Sequence, residues 1–232
     1  GAAGVARRDA AGARRLDRLE KLAAELGAAH GVRVHVGALD TRDTASVEAF
    51  VAGSVAALGG LNVVVANAGL ARGLDKIESV LEADWQAMLH TNVEGVVRTF
   101  KATLPHVRRS GWGHYFTIGS VAGHGVYEGG GVYCASKHAL RALTETLRLE
   151  LCGEPIRVTE IDPGMVETEF SNVRLLDEAK AKAVYRGLEP LVGADIAECI
   201  RWCLALPDHV NIDELVVKPL AQAGTHKVSR RE

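Results

Sequence analysis

The sequence contains no apolar run of eighteen residues, so no segment is expected to cross a membrane. It shows no secretory signal pattern ahead of the first periodic segments. It has no excess of either charge. Its 27 Lys and Arg against 29 Asp and Glu give a net charge of −2, which leaves nucleic-acid binding without electrostatic support. Its four cysteines, Cys134, Cys152, Cys199 and Cys203, form no CxxC, and no histidine cluster has metal-ligand spacing. Cys199 and Cys203 sit four apart on an expected helix, where a disulfide is disfavoured. Free thiols in a reducing cytoplasm, and no metal, are the expectation. There is no internal repeat, low-complexity tract or linker, and 47% of the residues are hydrophobic. Residues 1–232 therefore read as one globular domain.

What is present alternates in type. Short apolar runs at 32–39, 61–66, 113–118, 156–161 and 213–217 predict strands. Longer periodic stretches at 43–58, 82–109, 131–152 and 193–205 predict helices. In 43–58 the apolar face is Val47, Phe50, Val51, Val55 and Leu58. Strands alternating with helices imply right-handed βαβ units and a doubly wound parallel sheet, an α/β fold. Ligands of such sheets sit at the carboxyl ends of the strands. Asp40, Asn67, Ser120 and Pro163-Gly164 each follow a predicted strand. The first fifteen residues, GAAGVARRDAAGARR, hold one large aliphatic side chain and no convincing buried strand. A dinucleotide-binding fold opens with a strand and a glycine-rich turn. Neither is visible, so the fold's opening is expected to be incomplete in this chain.

Tyr133 and Lys137 lie four apart on a predicted helix and share one face. A free phenol titrates near 10, too high for proton exchange at neutrality. A close ammonium favours the phenolate. Alone, that spacing also fits a surface lysine beside a half-buried tyrosine. The surroundings add Ser120 in GSVAG, Asn67-Ala68-Gly69, Asn92 in HTNVEG, where an asparagine is awkward inside a helix, and Pro163-Gly164 with Thr168.

In this order, these motifs resemble the short-chain dehydrogenase/reductase family of single-domain, Rossmann-like enzymes, over about residues 13–222. The closing IDELVVKPLAQAG is similar to that of bacterial NADP-dependent 3-hydroxy acid and clavulanate dehydrogenase-like reductases. The resemblance implies hydride transfer between NAD(P) and an alcohol or carbonyl compound. By it, Tyr133 is the general acid/base, Lys137 lowers the tyrosine's pKa and binds the nicotinamide ribose, and Ser120 steadies the substrate oxygen. Asn92 would hold a water joined to Lys137. Asn67, Ala68 and Gly69 would pass along the adenosine ribose. Asp40 would touch the adenine amine, with Thr41 beside it. Pro163, Gly164, Val166 and Thr168 would hold the carboxamide end. Each also has a plainer reading: Asn67 and Gly69 as turn residues, Asp40 as a helix cap, Thr168 as a cap of the next helix.

Arg14 and Arg15 fall where the family's second strand enters its helix, with no acid before them; Arg7-Arg8 is a second candidate pair. A cation there suits a 2′-phosphate, so NADP(H) is expected ahead of NAD(H). The loops 121–130 and 165–187 should line the substrate pocket, with His124, Val126 and Tyr127 as candidate contacts. His124 reads as a loop residue rather than a catalytic one. A small hydroxy or keto compound and a dimer or tetramer of this chain, paired through 82–109 and 131–152, complete the expectation. The runner-up is a non-catalytic NADP-binding regulatory or scaffold protein.

Overall fold

A computed structural model describes residues 8–231. Four parallel strands carry the core: β3 (Val63–Ala66), β4 (Gly113–Ile118), β5 (Ile156–Pro163) and β8 (Glu214–Val217), bonded in that order. Alternation along each strand splits the apolar side chains between two faces. Tyr115 of β4 and Val158 of β5 face one cluster with Phe100, Val107, Leu140 and Leu147. Phe116 of β4 and Ile161 of β5 face the other, with Cys203, Ile196 and Ile200. The first cluster is closed by α4 (Gly95–Arg109) and α5 (Gly131–Glu150), the second by α8 (Gly193–Ala205). Cover on both faces explains why every residue of β5 is buried.

A second parallel pair stands apart, β1 (Arg8–Ala13) with β2 (Arg33–Ala38), joined by α1 (Leu16–His30). β1 lies within the first fifteen residues, where no buried strand is expected, and none of its residues is buried. Its sequence, RDAAGA, lacks the bulk that marks a strand by pattern. The reason lies above it. Gly12 pairs with Gly37 across the ladder, and a methyl group at either position would come within 2.8 or 2.9 Å of the Phe50 ring. The small residues are a seat for Phe50 of α2 (Thr44–Leu58). That helix is capped by Asp43, whose carboxylate accepts from Ala45 N–H, and ends at Gly59, where φ is 79°.

Two findings concern continuity. The strands pair in parallel, as the α/β fold requires, and are bonded in three sets, β1–β2, β3–β4–β5–β8 and the short pair β6 (Val166–Glu167) with β7 (Leu191–Val192). The long helix expected over 82–109 is α3 (Glu82–Leu89), a π-helical turn (His90–Glu94) and α4. Gly95 N–H bonds the carbonyl of His90, five residues back. The short helices α6 (Phe170–Leu175) and α7 (Glu178–Val184) complete the set. Among the described residues, no helix is long and apolar enough to cross a membrane. The four cysteines are unbridged.

Candidate active site

Helix α5 presents Tyr133 and Lys137 one turn apart, at 8% and 6% exposure, to the carboxyl ends of β4 and β5. The helix is fixed there by its own polar residues. Ser136 Oγ donates to Tyr133 O at 2.7 Å and accepts from Asn92 Nδ2 at 3.0 Å. Asn92 Nδ2 also donates to Leu70 O, and its Oδ1 accepts from Leu70 N–H, both at 2.8 Å. The asparagine thus acts like a strand neighbour to the loop after β3. The π-turn is what lets it point there. Both amide hydrogens are spent in protein bonds, so the side chain is a joint between the loop, the turn and α5.

Lys137 Nζ donates to Ile118 O at 2.8 Å. Burial lowers its pKa to about 8, against the pull of Asp162 and Glu160. Gly69 lies beside it: a methyl group there would stand 3.5 Å from both Lys137 Nζ and Asn92 Oδ1. This glycine keeps a narrow space open next to the ammonium.

Burial pushes Tyr133 up to about 12, and the Ser120 hydroxyl and the Arg174 guanidinium oppose the rise. A cation other than Lys137, the Arg174 guanidinium, thus also lies near the phenol. Ser120 begins a short 3-10 turn (Val121–Gly123). Its Oγ accepts from Ala122 N–H, and its own N–H donates to Asp162 Oδ1 at 2.7 Å. Asp162 is fully buried at the end of β5.

His124 turns toward acids. Its Nε2 lies 3.0 Å from Asp162 Oδ2 and 2.8 Å from Glu214 Oε1, while Arg141 also pairs with Glu214. The imidazole bridges the two carboxylates, which are held besides by Ser120 N–H on Asp162 and by the Arg141 guanidinium on Glu214. Val126 is 68% exposed, and Tyr127 Oη accepts from Arg174 Nη1.

The residues expected at the cofactor's far end are spread along the rim. Asn67, Ala68 and Gly69 are exposed at the end of β3. Asp40 is held by the backbone N–H and guanidinium of Arg42, which draw its pKa down to about 2. Thr41 is buried under Gly95. Arg15 and Arg18 both bond Glu169, at 2.7 and 2.5 Å. Arg14 is exposed and acts on Asp40 through its charge. Arg8 donates to Leu58 O, and Arg7 lies outside the described residues. Gly164 N–H bonds Val217 O, Val166 opens β6, and Thr168 Oγ1 accepts from Phe170 N–H at the start of α6, its plainer reading.

Asp162 and Arg174 are the two site residues that sequence reasoning passed over. An acid directly before Pro163-Gly164, at a strand's carboxyl end, was the available signal for the first. Arg174 lies in the loop region 165–187 with no pattern to mark it. A cleft of about 470 Å³ is lined by Glu167, Lys182, Tyr185 and Arg186, and Tyr133 is not among its lining residues.

Comparison with known proteins agrees with this geometry. A family model described as short chain dehydrogenase matches residues 6–179. The NADP-dependent 3-hydroxy acid dehydrogenase of Escherichia coli strain K12 is 39% identical over 212 residues, covering 90% of this chain and 84% of the relative. Sulfoacetaldehyde reductase 2 of Chromohalobacter salexigens is 42% identical over 212 residues, covering 90% and 83%. The closed form of serine dehydrogenase complexed with NADP+ superposes with a TM-score of 0.87 at 37% identity, covering 96% of this chain and 89% of that one.

Proposed function

The chain belongs to the short-chain dehydrogenase family, and from that premise we propose that it is an NADP-dependent oxidoreductase in which Tyr133, Ser120 and Lys137 serve the reduction of a carbonyl group. The observation that carries the assignment is the convergence of these three side chains, all buried, from α5 and the end of β4. NADP(H), when bound, supplies the hydride. The space that Gly69 leaves beside Lys137 suits a ribose hydroxyl pair, and the exposed run 67–69 suits passage of the nucleotide.

The rest falls to the chain's own groups. Tyr133 is the group placed to give its proton to the oxygen of a reduced carbonyl, and the nearby cations Lys137 and Arg174 work against the rise in pKa that burial imposes. Ser120 Oγ offers a hydrogen bond to the same oxygen as charge develops there. Asp162 holds Ser120 at its backbone, which fixes the hydroxyl's position. Lys137 is a positive charge without a carboxylate bonded to it among the described residues. Among the described members of the two candidate pairs, Arg14 is the cation left for a 2′-phosphate, since Arg15 is engaged by Glu169 and Arg8 by Leu58 O.

The relatives act on a 3-hydroxy acid and on sulfoacetaldehyde, so a small hydroxy or oxo compound is the proposed substrate class. We treat residues 1–232 as one cytoplasmic domain, in keeping with the bacterial relatives and the free cysteines. Pairing with further copies through α4 and α5 accords with Leu149 of α5, which is 73% exposed; sizing by light scattering tests it. The catalytic assignment is tested by mixing the full chain with NADPH and a panel of small oxo compounds and following cofactor absorbance. Turnover that is lost in Tyr133→Phe, with NADPH still bound, is the expected result. NADPH binding without turnover of any member would favour a regulatory protein instead.

A further inference from the structure

Arg174, on the last turn of α6, places its guanidinium 5.4 Å from the centroid of the Tyr133 ring and 5.5 Å from that of Tyr127. Four bonds fix it. Its Nε donates to Gly73 O and its Nη1 to Tyr127 Oη, each at 2.9 Å. Gly73 N–H returns a bond to Arg174 O at 2.9 Å, and Arg72 Nη1 donates to Val173 O at 2.8 Å. The residue two positions on, Leu176, is the one non-glycine residue with positive φ among those described, at 52°. The chain accepts that local strain at the end of the helix that carries Arg174.

The acceptors around Arg174 are both neutral. Neighbouring arginines differ: Arg15 and Arg18 meet Glu169, Arg72 meets Asp84, and Arg141 meets Glu214. No carboxylate lies within ion-pair distance of Arg174 among the described residues, and its Nη2 has no protein acceptor there. A half-buried cation with neutral partners has lost hydration without gaining a counter-charge. A planar fork held in place is also the geometry that binds a carboxylate or sulfonate through two parallel bonds. This fork faces the ring that carries the proton donor.

We infer that Arg174 anchors an anionic group of the substrate, a carboxylate or sulfonate one or two carbons from the carbon that exchanges hydride. This rests on the reading of Tyr133 as the acid/base. The short spacing follows from the guanidinium lying against the Tyr133 ring itself, so the oxygen at the phenol and the anion at the fork belong to one small molecule. Because the fork is already ordered, binding costs little further conformational entropy.

The test compares acetoacetate with its neutral methyl ester as substrates of the full chain with NADPH. The wild type should prefer the acid at least roughly tenfold in kcat/KM. Arg174→Met should lower that ratio for the acid on the order of 10²-fold, chiefly through KM, and should lower it far less for the ester. Arg174→Lys, which keeps the charge but loses the fork, should recover part of the loss. An equal loss on both substrates, or a wild type without preference for the acid, overturns the anchor. A wild type that reduces neither compound counts against hydride transfer, and the anchor is then read by binding. With NADP+ present, 3-hydroxybutyrate should raise the melting temperature of the wild type and leave that of Arg174→Met unmoved. Equal shifts in the two proteins overturn the inference.

Discussion

The β4–β5 region and the β1–β2 region are built on opposite terms. All eight residues of β5 and five of six in β4 are buried, whereas no residue of β1 is. Helix α5 contributes seven buried residues and α1 none. In the first region, polar side chains are locked by buried bonds such as Asn92–Leu70 and Ser120–Asp162. In the second, order rests on exposed ion pairs, Arg15 and Arg18 with Glu169 and Asp40 with Arg42. Exposed pairs contribute little to stability. Proton transfer needs reacting groups held to a fraction of an ångström, while gripping a charged nucleotide tolerates a softer surface. The difference in burial matches that division of labour.

The division breaks most visibly at Tyr133. Tyr133→Phe should lower kcat by roughly 10²–10⁴-fold with little change in melting temperature. A small loss would mean that the buried half does not carry the proton. His114 probes the same half through stability. It is 1% exposed, bonded to Thr159 Oγ1 and stacked on Phe116, and burial with the nearby Arg157 lowers its pKa to about 3. Its folded value lies below its unfolded value of about 6.5, so the unfolded chain takes up the proton first as pH falls. Stability should therefore decline between about pH 6.5 and pH 3, by roughly 1.4 kcal/mol per unit from this group. Urea unfolding across that range, repeated with His114→Phe, measures the slope; an unchanged slope in the variant would refute the assignment.

The softer half should answer to bulk and to charge. Gly12→Val or Gly37→Val displaces Phe50 from its seat and should cost about 1–3 kcal/mol in denaturant unfolding. Arg14→Glu should raise the KM for NADPH roughly tenfold and leave that for NADH nearly unchanged. Arg15→Glu should do less to this difference, because Arg15 is already spoken for by Glu169. Equal responses to both cofactors would move the 2′-phosphate site elsewhere. The smallest effect should come from Leu176→Gly. Relief of the left-handed conformation outweighs the added freedom of the unfolded chain, and a gain of roughly 0.5 kcal/mol is expected by thermal melting.

The same contrast governs what the sequence discloses. Strands β4 and β5 are covered on both faces and β3 is apolar throughout, so all three read as strands, and Tyr133 and Lys137 declare themselves by one helical turn. β1 hides because its residues are chosen for smallness under Phe50, a demand set by a partner 38 residues after Gly12 (50 − 12). Asn92 stands out as awkward in a helix, yet its spacing gives no hint of Leu70 or of the π-turn that aims it. Arg174 and Asp162 matter through contacts that tie together segments distant in the chain, Gly73 with α6 and Ser120 with β5. Periodicity records a residue's relation to its own element, and these relations cross between elements.

The π-turn at His90–Glu94 has a consequence for chain length. A turn closed by a bond five residues back holds one residue more than a regular turn, and one residue is about 100° of helical rotation. Helices α3 and α4 are therefore out of phase along a shared path. Deleting one residue other than Asn92 from this turn would restore regular pitch without removing a side chain from either helix. It would then swing Asn92 away from Leu70, or else roll Val96, Phe100 and Val107 off the sheet. The number of residues between Leu89 and Gly95 is thus constrained separately from their identities, as a spacer whose count keeps the site and the core in register.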